Sequence, residues 1–283
     1  MEKDIHSLNS AINNRAGRKL LPSIFVSVFI IAIVFVSIDS YPPLFGLLVI
    51  VAANLAIMEI VTALSSKGIV LPRWPLFIGG TAMITATWFG HIYGLAVSMA
   101  IVIPNIVVLA MFISPKDFIR RASAIAFTIF YIPFLAGFIL LLAHQTHGVE
   151  WILALVVVVA CNDTFAYFTG LLLGKHLMIP HVSPKKTWEG FAGALFFTII
   201  GASLVFHFSL HEKVWVGILV GIIGVVTSTC GDLIESAVKR DLEIKDMGSL
   251  LPGHGGVLDR IDSLLFTGPA IWFACEFLRH FHW

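Results

Sequence analysis

The stretch ASAIAFTIFYIPFLAGFILLLA, residues 122–143, contains no charged side chain in 22 positions. At a rise of about 1.5 Å per residue, a helix of this length spans the roughly 30 Å hydrocarbon core of a bilayer. Similar apolar runs recur along the chain, which is 58% hydrophobic and only 12% charged. The sequence therefore predicts an all-α, polytopic integral membrane protein.

The apolar runs number about nine, and short stretches with Gly, Pro or charged residues separate them. Only His91–Gly94 separates the third run from the fourth. We find no linker long enough to divide the chain, so we predict one membrane-embedded domain over residues 1–283, with a polar tail at 1–20. The predicted spans are 21–39, 42–63, 75–91, 94–113, 122–143, 150–173, 190–209, 214–231 and 263–279.

The basic residues predict the orientation of these spans. If the N-terminus is cytoplasmic, 16 of the 18 Lys and Arg residues lie in the tail or in cytoplasmic loops, and only Lys213 and Arg279 lie elsewhere. Such an asymmetry is typical of membrane proteins, whose cytoplasmic loops are rich in Lys and Arg. Two long polar segments, 174–189 and 231–262, are then both predicted on the cytoplasmic side.

The second of these segments belongs to an unusually charged stretch, Gly231–Ser263, with the sequence GDLIESAVKRDLEIKDMGSLLPGHGGVLDRIDS. Its 33 residues include seven acidic and four basic side chains, although apolar runs flank it on both sides. The net charge of the whole chain is +1, which does not suggest a nucleic-acid partner. Acids, bases and glycines in this combination predict a site that holds metal ions and phosphates against a membrane.

Two carboxylates lie near the ends of apolar runs. Asp163 follows Asn162 in the sixth predicted span, and Asp232 ends the eighth. A charge inside a membrane helix costs on the order of 3 kcal/mol, so it needs a partner or a watery cavity. We interpret both acids as lining a polar cavity, although either could instead extend toward the membrane interface. Glu59, near the inner end of the second span, is expected at the interface rather than in the site.

The residues after Asp232 combine a polar helical face with a glycine-rich turn. Gly255 and Gly256 follow His254, and glycines let backbone amides approach an anion closely. Carboxylate oxygens suit Mg²⁺, and Asp232 and Asp259 both flank membrane helices, so they can converge on one ion. The spacing i, i+3, i+4 and i+7 predicts one shared helical face for Asp232, Glu235, Ser236 and Lys239.

A third polar element is Ser183–Gly190, with the sequence SPKKTWEG. Lys185 and Lys186 are bracketed by Ser183 and Thr187, whose hydroxyl groups are suited to bind phosphate. Adjacent lysines before a membrane helix also act as topology determinants, and this interpretation stays open.

The charged stretch resembles the signature of the CDP-diacylglycerol synthases, also called phosphatidate cytidylyltransferases. Every position of that pattern is satisfied over 27 residues by Ser236-x-Val238-Lys239-Arg240-x4-Lys245-Asp246-x-Gly248-x2-Leu251-Pro252-x-His254-Gly255-Gly256-Val257-x-Asp259-Arg260-Ile261-Asp262. The segments Asn162–Tyr167 and Ser183–Gly190 are also similar. The resemblance by motif covers residues 150–279, predicted to be the catalytic half, whereas the N-terminal half is similar in hydropathy alone.

The resemblance implies an enzyme that converts CTP and phosphatidic acid into CDP-diacylglycerol and pyrophosphate. It further implies Mg²⁺, a second cation such as K⁺, a homodimer among membrane lipids, and a bacterial plasma membrane with the active site facing the cytoplasm. Asp232 and Asp259 would be the metal ligands. The expected catalytic residues are Asp232, Lys239, Arg240, Lys245, Asp246, His254, Asp259 and Arg260. The expected substrate-binding residues are Asn162, Asp163, Ser183, Lys185, Lys186, Thr187, Ser236, Gly255, Gly256 and Asp262.

Three alternatives remain at this point. A CTP-dependent kinase of polyprenol or phytol would transfer a γ-phosphate to a neutral hydroxyl and would need a base. A related enzyme that acts on an ether lipid would share the same chemistry. A transporter would place polar residues near the bilayer midplane, whereas the charges here are predicted to gather on one face.

Overall fold

A computed structural model describes residues 32–112, 116–248 and 255–281. The described part contains seven helical segments long and apolar enough to cross a membrane, which confirms the all-α, polytopic class. Residues 1–20 and most of the predicted first span lie outside it, so the total of nine spans and the orientation stay predictions. Residues 32–40 are helical, and the helices that follow are α1 (Pro42–Ser66), α2 (Arg73–Met111), α3 (Phe118–Ile129), α4 (Leu135–Ala143), α5 (Gly148–Leu173), α6 (Trp188–Phe208), α7 (Val214–Asp241) and α8 (Leu258–Phe281).

Helix α2 has 39 residues and would be about 58 Å long if it were straight, twice the hydrocarbon core. It is not straight, because His91 has a non-helical backbone with φ 50° and ψ −137°. A Cβ atom added to Gly79 would lie 2.6 Å from the side chain of Val102 and 2.9 Å from that of Ile106. The two halves of α2 therefore pack antiparallel, where the sequence predicts the third and fourth spans.

The turn in α2 depends on a glycine, which gives a testable prediction. A Cβ atom at Gly94 would lie 1.9 Å from the carbonyl oxygen of Ala86, whereas one at Gly90 would meet nothing within 4 Å. We expect Gly94→Ala to lower the stability by about 1–3 kcal/mol, as overpacking does, and Gly90→Ala to be neutral. Thermal unfolding of both variants in detergent measures this difference, and equal melting temperatures would contradict it.

The uncharged run 122–143 crosses the structure through a π-helical turn, Phe130–Phe134, which joins α3 to α4. Pro133 lies within this turn and lacks a backbone N–H, so a regular α-helical hydrogen bond is lost there. The turn places Tyr131 in the core, at 1% exposure, with its ring centroid 5.8 Å from that of Phe266 on α8. The contact between Tyr131 and Phe266 joins the uncharged run 122–143 to α8, the helix that contains the last residues of the charged stretch.

The C-terminal helices approach each other closely at glycines. A Cβ atom at Gly221 on α7 would lie 2.8 Å from the Cα of Ile199 on α6. A Cβ atom at Gly231 would lie 2.7 Å from the carbonyl oxygen of Asp262 on α8. Small residues permit such close packing of membrane helices. The contact at Gly231 brings the backbone of α7 against α8 at the point where both carry aspartates.

Segment 174–189 forms a hairpin that the sequence analysis did not foresee. Strand β1 (Leu177–Ile179) pairs antiparallel with β2 (Ser183–Thr187). Thr187 then caps α6, since its hydroxyl accepts a hydrogen bond from the N–H of Gly190 at 3.1 Å. Arg240 at the end of α7 donates to the carbonyl oxygen of Val182 at 3.1 Å. The hairpin therefore lies at the same end of the bundle as the charged stretch.

Two helices are longer than the apolar spans predicted for them. Helix α7 continues to Asp241 instead of ending near 231, and α8 begins at Leu258 instead of 263. Asp259, Arg260 and Asp262 consequently lie in the first turns of α8 rather than in the loop before it. Hydropathy detects only the apolar part of a helix, so it misses the charged turns that extend a helix beyond the membrane.

Candidate active site

Three aspartates from three helices lie together, and we call them the acidic cluster: Asp163 on α5, Asp232 on α7 and Asp262 on α8. The ammonium group of Lys186 lies 2.7 Å from one carboxylate oxygen of Asp232. The hydroxyl group of Ser263 donates to the other at 2.9 Å. Asp232 is therefore held by the hairpin on one side and by α8 on the other.

Asn162 orients the α5 member of the acidic cluster. Its side-chain amide donates to the carboxylate of Asp163 at 3.1 Å and to the hydroxyl of Ser228 at 3.0 Å. The hydroxyl of Thr229 donates to its carbonyl oxygen at 3.4 Å. Asn162 is buried, whereas Asp163 is exposed. Of this predicted substrate-binding pair, only Asp163 is open to the outside of the protein.

Negative charge exceeds positive charge in the acidic cluster. Asp262, which is 5% exposed, lies directly beside Asp232. Lys186 and Arg260 are the basic side chains within electrostatic range of Asp163. Three carboxylates near two cations repel one another in a medium of low dielectric constant. Lys186 and Arg260 offset part of this repulsion.

A second group of charges, which we call the Lys239 cluster, consists of Glu235, Lys239 and Asp259. The ammonium group of Lys239 forms ion pairs with Glu235 and, at 3.0 Å, with Asp259. Asp259 also accepts hydrogen bonds from the backbone N–H groups of Gly256 at 2.7 Å and Met247 at 3.1 Å. Asp259 thus connects the end of α7, the loop after it and the start of α8.

The predicted metal ligands Asp232 and Asp259 have separate partners in the structure, because one contacts Lys186 and the other Lys239. In the part of the chain that the structure describes, no three His, Cys, Asp or Glu side chains are arranged to hold a metal ion. Magnesium usually takes one or two protein carboxylates and completes its shell with water and phosphate oxygens. The donor chemistry therefore fits Mg²⁺, and the pairing of these two ligands stays a prediction.

The other predicted site residues differ in exposure, and His254 lies outside the described residues. Gly255 has φ +83°, a left-handed conformation that favours glycine. Thr187 and Gly256 are buried, whereas Ser183, Ser236 and Gly255 are partly buried. The exposed residues of this group are Lys185, Arg240, Lys245, Asp246 and Arg260.

Comparison with known proteins assigns the chain to a family. The sequence profile described as "Cytidylyltransferase family" matches residues 22–278. The chain belongs to the cytidylyltransferase family. The match extends over the N-terminal half, which the motifs did not cover.

Several bacterial proteins that are similar to this chain share the same name. A protein of Mycobacterium bovis named "Phosphatidate cytidylyltransferase" is 36% identical over 279 residues, which cover 94% of this chain and 91% of the relative. A Mycobacterium tuberculosis protein of the same name is also 36% identical, over 94% of this chain and 85% of its own length. A third, from Staphylococcus haemolyticus, is 42% identical over 136 residues, covering 48% of this chain and 52% of the relative.

Sequence reasoning missed one buried residue near the two charge clusters, Tyr131. The ring of Tyr131 packs against Phe127 and Phe266, and Tyr131 also lies within electrostatic range of acidic side chains of both clusters. Its hydroxyl group is buried and has no hydrogen-bond partner among the described residues. An isolated Tyr in an uncharged membrane span carries no sequence signal for such a position.

The structure also places Glu59, which was expected at the membrane interface, inside the protein and in contact with the charged stretch. Glu59 is 4% exposed, and its carboxylate accepts hydrogen bonds from the backbone N–H groups of Val257 and Leu258. A nearby ion pair, Lys67–Glu243, joins the same two parts of the chain. The hydrogen bond from Lys67 holds the pKa of Glu243 below its usual value. The N-terminal half of this family member therefore contacts the charged stretch directly.

Proposed function

We propose that this chain is a CTP:phosphatidate cytidylyltransferase, which forms CDP-diacylglycerol and pyrophosphate for phospholipid synthesis. The observation that carries the proposal is the position of the acidic cluster and the Lys239 cluster at one end of a bundle of membrane helices. Relatives with 36% identity over 94% of the chain are named for this activity. The match to the family signature in the charged stretch supports the same reaction.

The proposed reaction is a nucleotidyl transfer. A phosphate oxygen of phosphatidic acid attacks the α-phosphorus of CTP and forms a new P–O bond. The bond from the α-phosphorus to the oxygen that bridges the α- and β-phosphates breaks, and pyrophosphate leaves with the electron pair. The nucleophile is already an anion near neutral pH, so the reaction needs no strong general base. The main obstacle is the repulsion between two polyanions.

The charged side chains match this requirement, because catalysis of phosphoryl-group transfer depends on positioning and charge neutralisation. We propose that Asp232 and Asp259 bind Mg²⁺, with a second cation such as K⁺ nearby. The bound metal supplies charge neutralisation at the phosphates. Lys186 and Lys239 lie beside these two acids and are placed to meet phosphate oxygens. The exposed side chains Lys185, Arg240, Lys245 and Arg260 of the two polar segments add further positive charge.

Membrane embedding fits the lipid substrate. The chain is a multi-pass membrane protein with seven spanning candidates in its described part. The charge distribution supports an active site on the cytoplasmic face, where CTP is available, in a bacterial plasma membrane. Phosphatidic acid would enter sideways from the inner leaflet while its acyl chains stay in the bilayer. We also propose a homodimer, as the family resemblance implies.

A lipid-alcohol kinase and a transporter receive less support than a cytidylyltransferase. A lipid-alcohol kinase would need a base next to a neutral hydroxyl, and the relatives carry the cytidylyltransferase name. A transporter would bind its substrate near the bilayer midplane between repeats. Here Lys186, Asp232 and Asp262 lie at one end of α7 and α8, next to the β-hairpin.

An assay on the purified protein in detergent tests the proposal. Labelled CTP and phosphatidic acid are supplied with Mg²⁺, with and without EDTA, and both CDP-lipid and pyrophosphate are measured. We expect both products in equal amounts with Mg²⁺ and neither with EDTA. Lipid phosphorylation with release of CDP would indicate a kinase instead. No turnover of any nucleotide by folded protein would contradict the enzyme assignment.

A further inference from the structure

Helix α1 contributes a buried carboxylate at the end of the bundle that carries the charged stretch. Glu59 is 4% exposed although it lies within an apolar helix. A buried charge of this kind is costly unless other groups donate hydrogen bonds to it. The donors come from a part of the chain 198 positions away, at the start of α8. This distance in sequence indicates a tertiary role for Glu59 rather than a local one.

The two oxygens of Glu59 bind consecutive backbone groups. One accepts a hydrogen bond from the N–H of Val257 at 2.8 Å, and the other from the N–H of Leu258 at 2.9 Å. The first N–H groups of a helix have no partner within the helix, and negative charge near them is favourable. Glu59 therefore caps α8 from another helix, a role that a side chain of the preceding loop usually fills.

Two glycines surround the same carboxylate. A Cβ atom at Gly248 would lie 2.5 Å from one oxygen of Glu59, and a Cβ atom at Gly256 would lie 2.6 Å from the other. Real Cβ atoms do not approach other atoms so closely. Because Gly248 and Gly256 lack side chains, the carboxylate of Glu59 fits between them. This fit explains why glycine occupies these two positions of the signature.

The loop held by Glu59 also holds Asp259. The N–H of Gly256 donates to Asp259, and the next two N–H groups along the chain donate to Glu59. We infer that Glu59 is a positioning residue, which fixes the loop and the first turn of α8 and thereby sets the place of the Asp259 carboxylate. The effect on turnover rests on the proposed function, whereas the effect on the loop does not.

Amide hydrogen exchange tests the effect on the loop without any substrate. We expect Glu59→Ala to accelerate exchange in peptides covering residues 256–260 at least tenfold, and to leave the hairpin at 177–187 unchanged. Thr62→Val is the matched control, because Thr62 lies close to Glu59 on α1 but is exposed, and within the described part of the chain its hydroxyl bonds only Met58 of its own helix. Unchanged exchange at 256–260 in Glu59→Ala would overturn the inference.

Turnover tests the effect on Asp259. Outer-shell groups that orient catalytic ligands typically contribute about 10- to 100-fold. We expect Glu59→Ala to lower the rate of CDP-lipid formation per folded molecule by that factor and to raise the Mg²⁺ concentration for half-maximal rate. Glu59→Gln, which keeps one acceptor oxygen, should recover part of the loss. A loosened loop with full turnover and unchanged Mg²⁺ dependence would overturn the positioning role.

A double-mutant cycle separates positioning from general destabilisation. Gly248→Ala should impair the wild type, since the three atoms nearest to the added Cβ all belong to Glu59. The same substitution should have little further effect in the Glu59→Ala background, because the carboxylate is gone. Additive losses would overturn the inference. If the wild type forms no CDP-lipid, the proposed function fails. The exchange rates and melting temperatures of the wild type, the two single variants and the double variant still decide the role of Glu59 in the loop.

Discussion

Replacing Asp232 by Asn is expected to lower the rate of CDP-lipid formation by about 100- to 1000-fold, the scale on which loss of one electrostatic group acts in an active site. Asn has nearly the same shape as Asp and can still accept the hydrogen bond from Ser263. It lacks the negative charge that pairs with Lys186 and that would bind Mg²⁺. The loss should persist at saturating Mg²⁺ if the missing charge acts in the transition state.

Asp241→Asn is the matched control for this variant. Asp241 is the last residue of the same helix and is exposed, outside both charge clusters. We expect its rate to equal that of the wild type, because exposed charges contribute little. Steady-state rates of both variants, measured on protein with unchanged melting temperature, make the comparison. A folded Asp232→Asn protein with the wild-type rate would remove Asp232 from the site.

The position of Asp232 shows how far the sequence could predict the site. The i, i+3 and i+7 spacing correctly placed Asp232, Glu235 and Lys239 on one helix, because α7 continues beyond the apolar run. The spacing could not show which turn of α8 faces Asp232. That depends on the close approach of α7 and α8 at Gly231, which puts Asp262 next to Asp232.

Other parts of the site depend on contacts between distant segments. Glu59 and Tyr131 belong to the N-terminal half, and nothing local in their helices signals a role in a site near residue 259. The hairpin at 177–187 was missed for a different reason, since its strands are three and five residues long and lack alternating apolar side chains. The membrane helices were predictable because their length and hydropathy are set by the bilayer itself.

Replacing Lys239 by Met should reduce both stability and activity. Lys239 is the common partner of Glu235 and Asp259, whose side chains are 3% and 7% exposed. Removing the cation leaves two neighbouring buried carboxylates without their shared partner. Breaking a buried ion pair in this way typically costs about 3–5 kcal/mol. We expect a clear drop in the melting temperature in detergent and a loss of CDP-lipid formation of at least about 100-fold.

A second substitution separates these two effects. In the double variant Glu235→Gln/Lys239→Met, one of the two unpaired charges is also removed, so much of the lost stability should return. Activity should not return, because Met cannot neutralise a phosphate oxygen and Asp259 still lacks its partner. Recovery of both stability and turnover would show that Lys239 only balances buried charge. Recovery of stability alone would assign its ammonium group to the reaction, provided that the single variant Glu235→Gln keeps the wild-type rate.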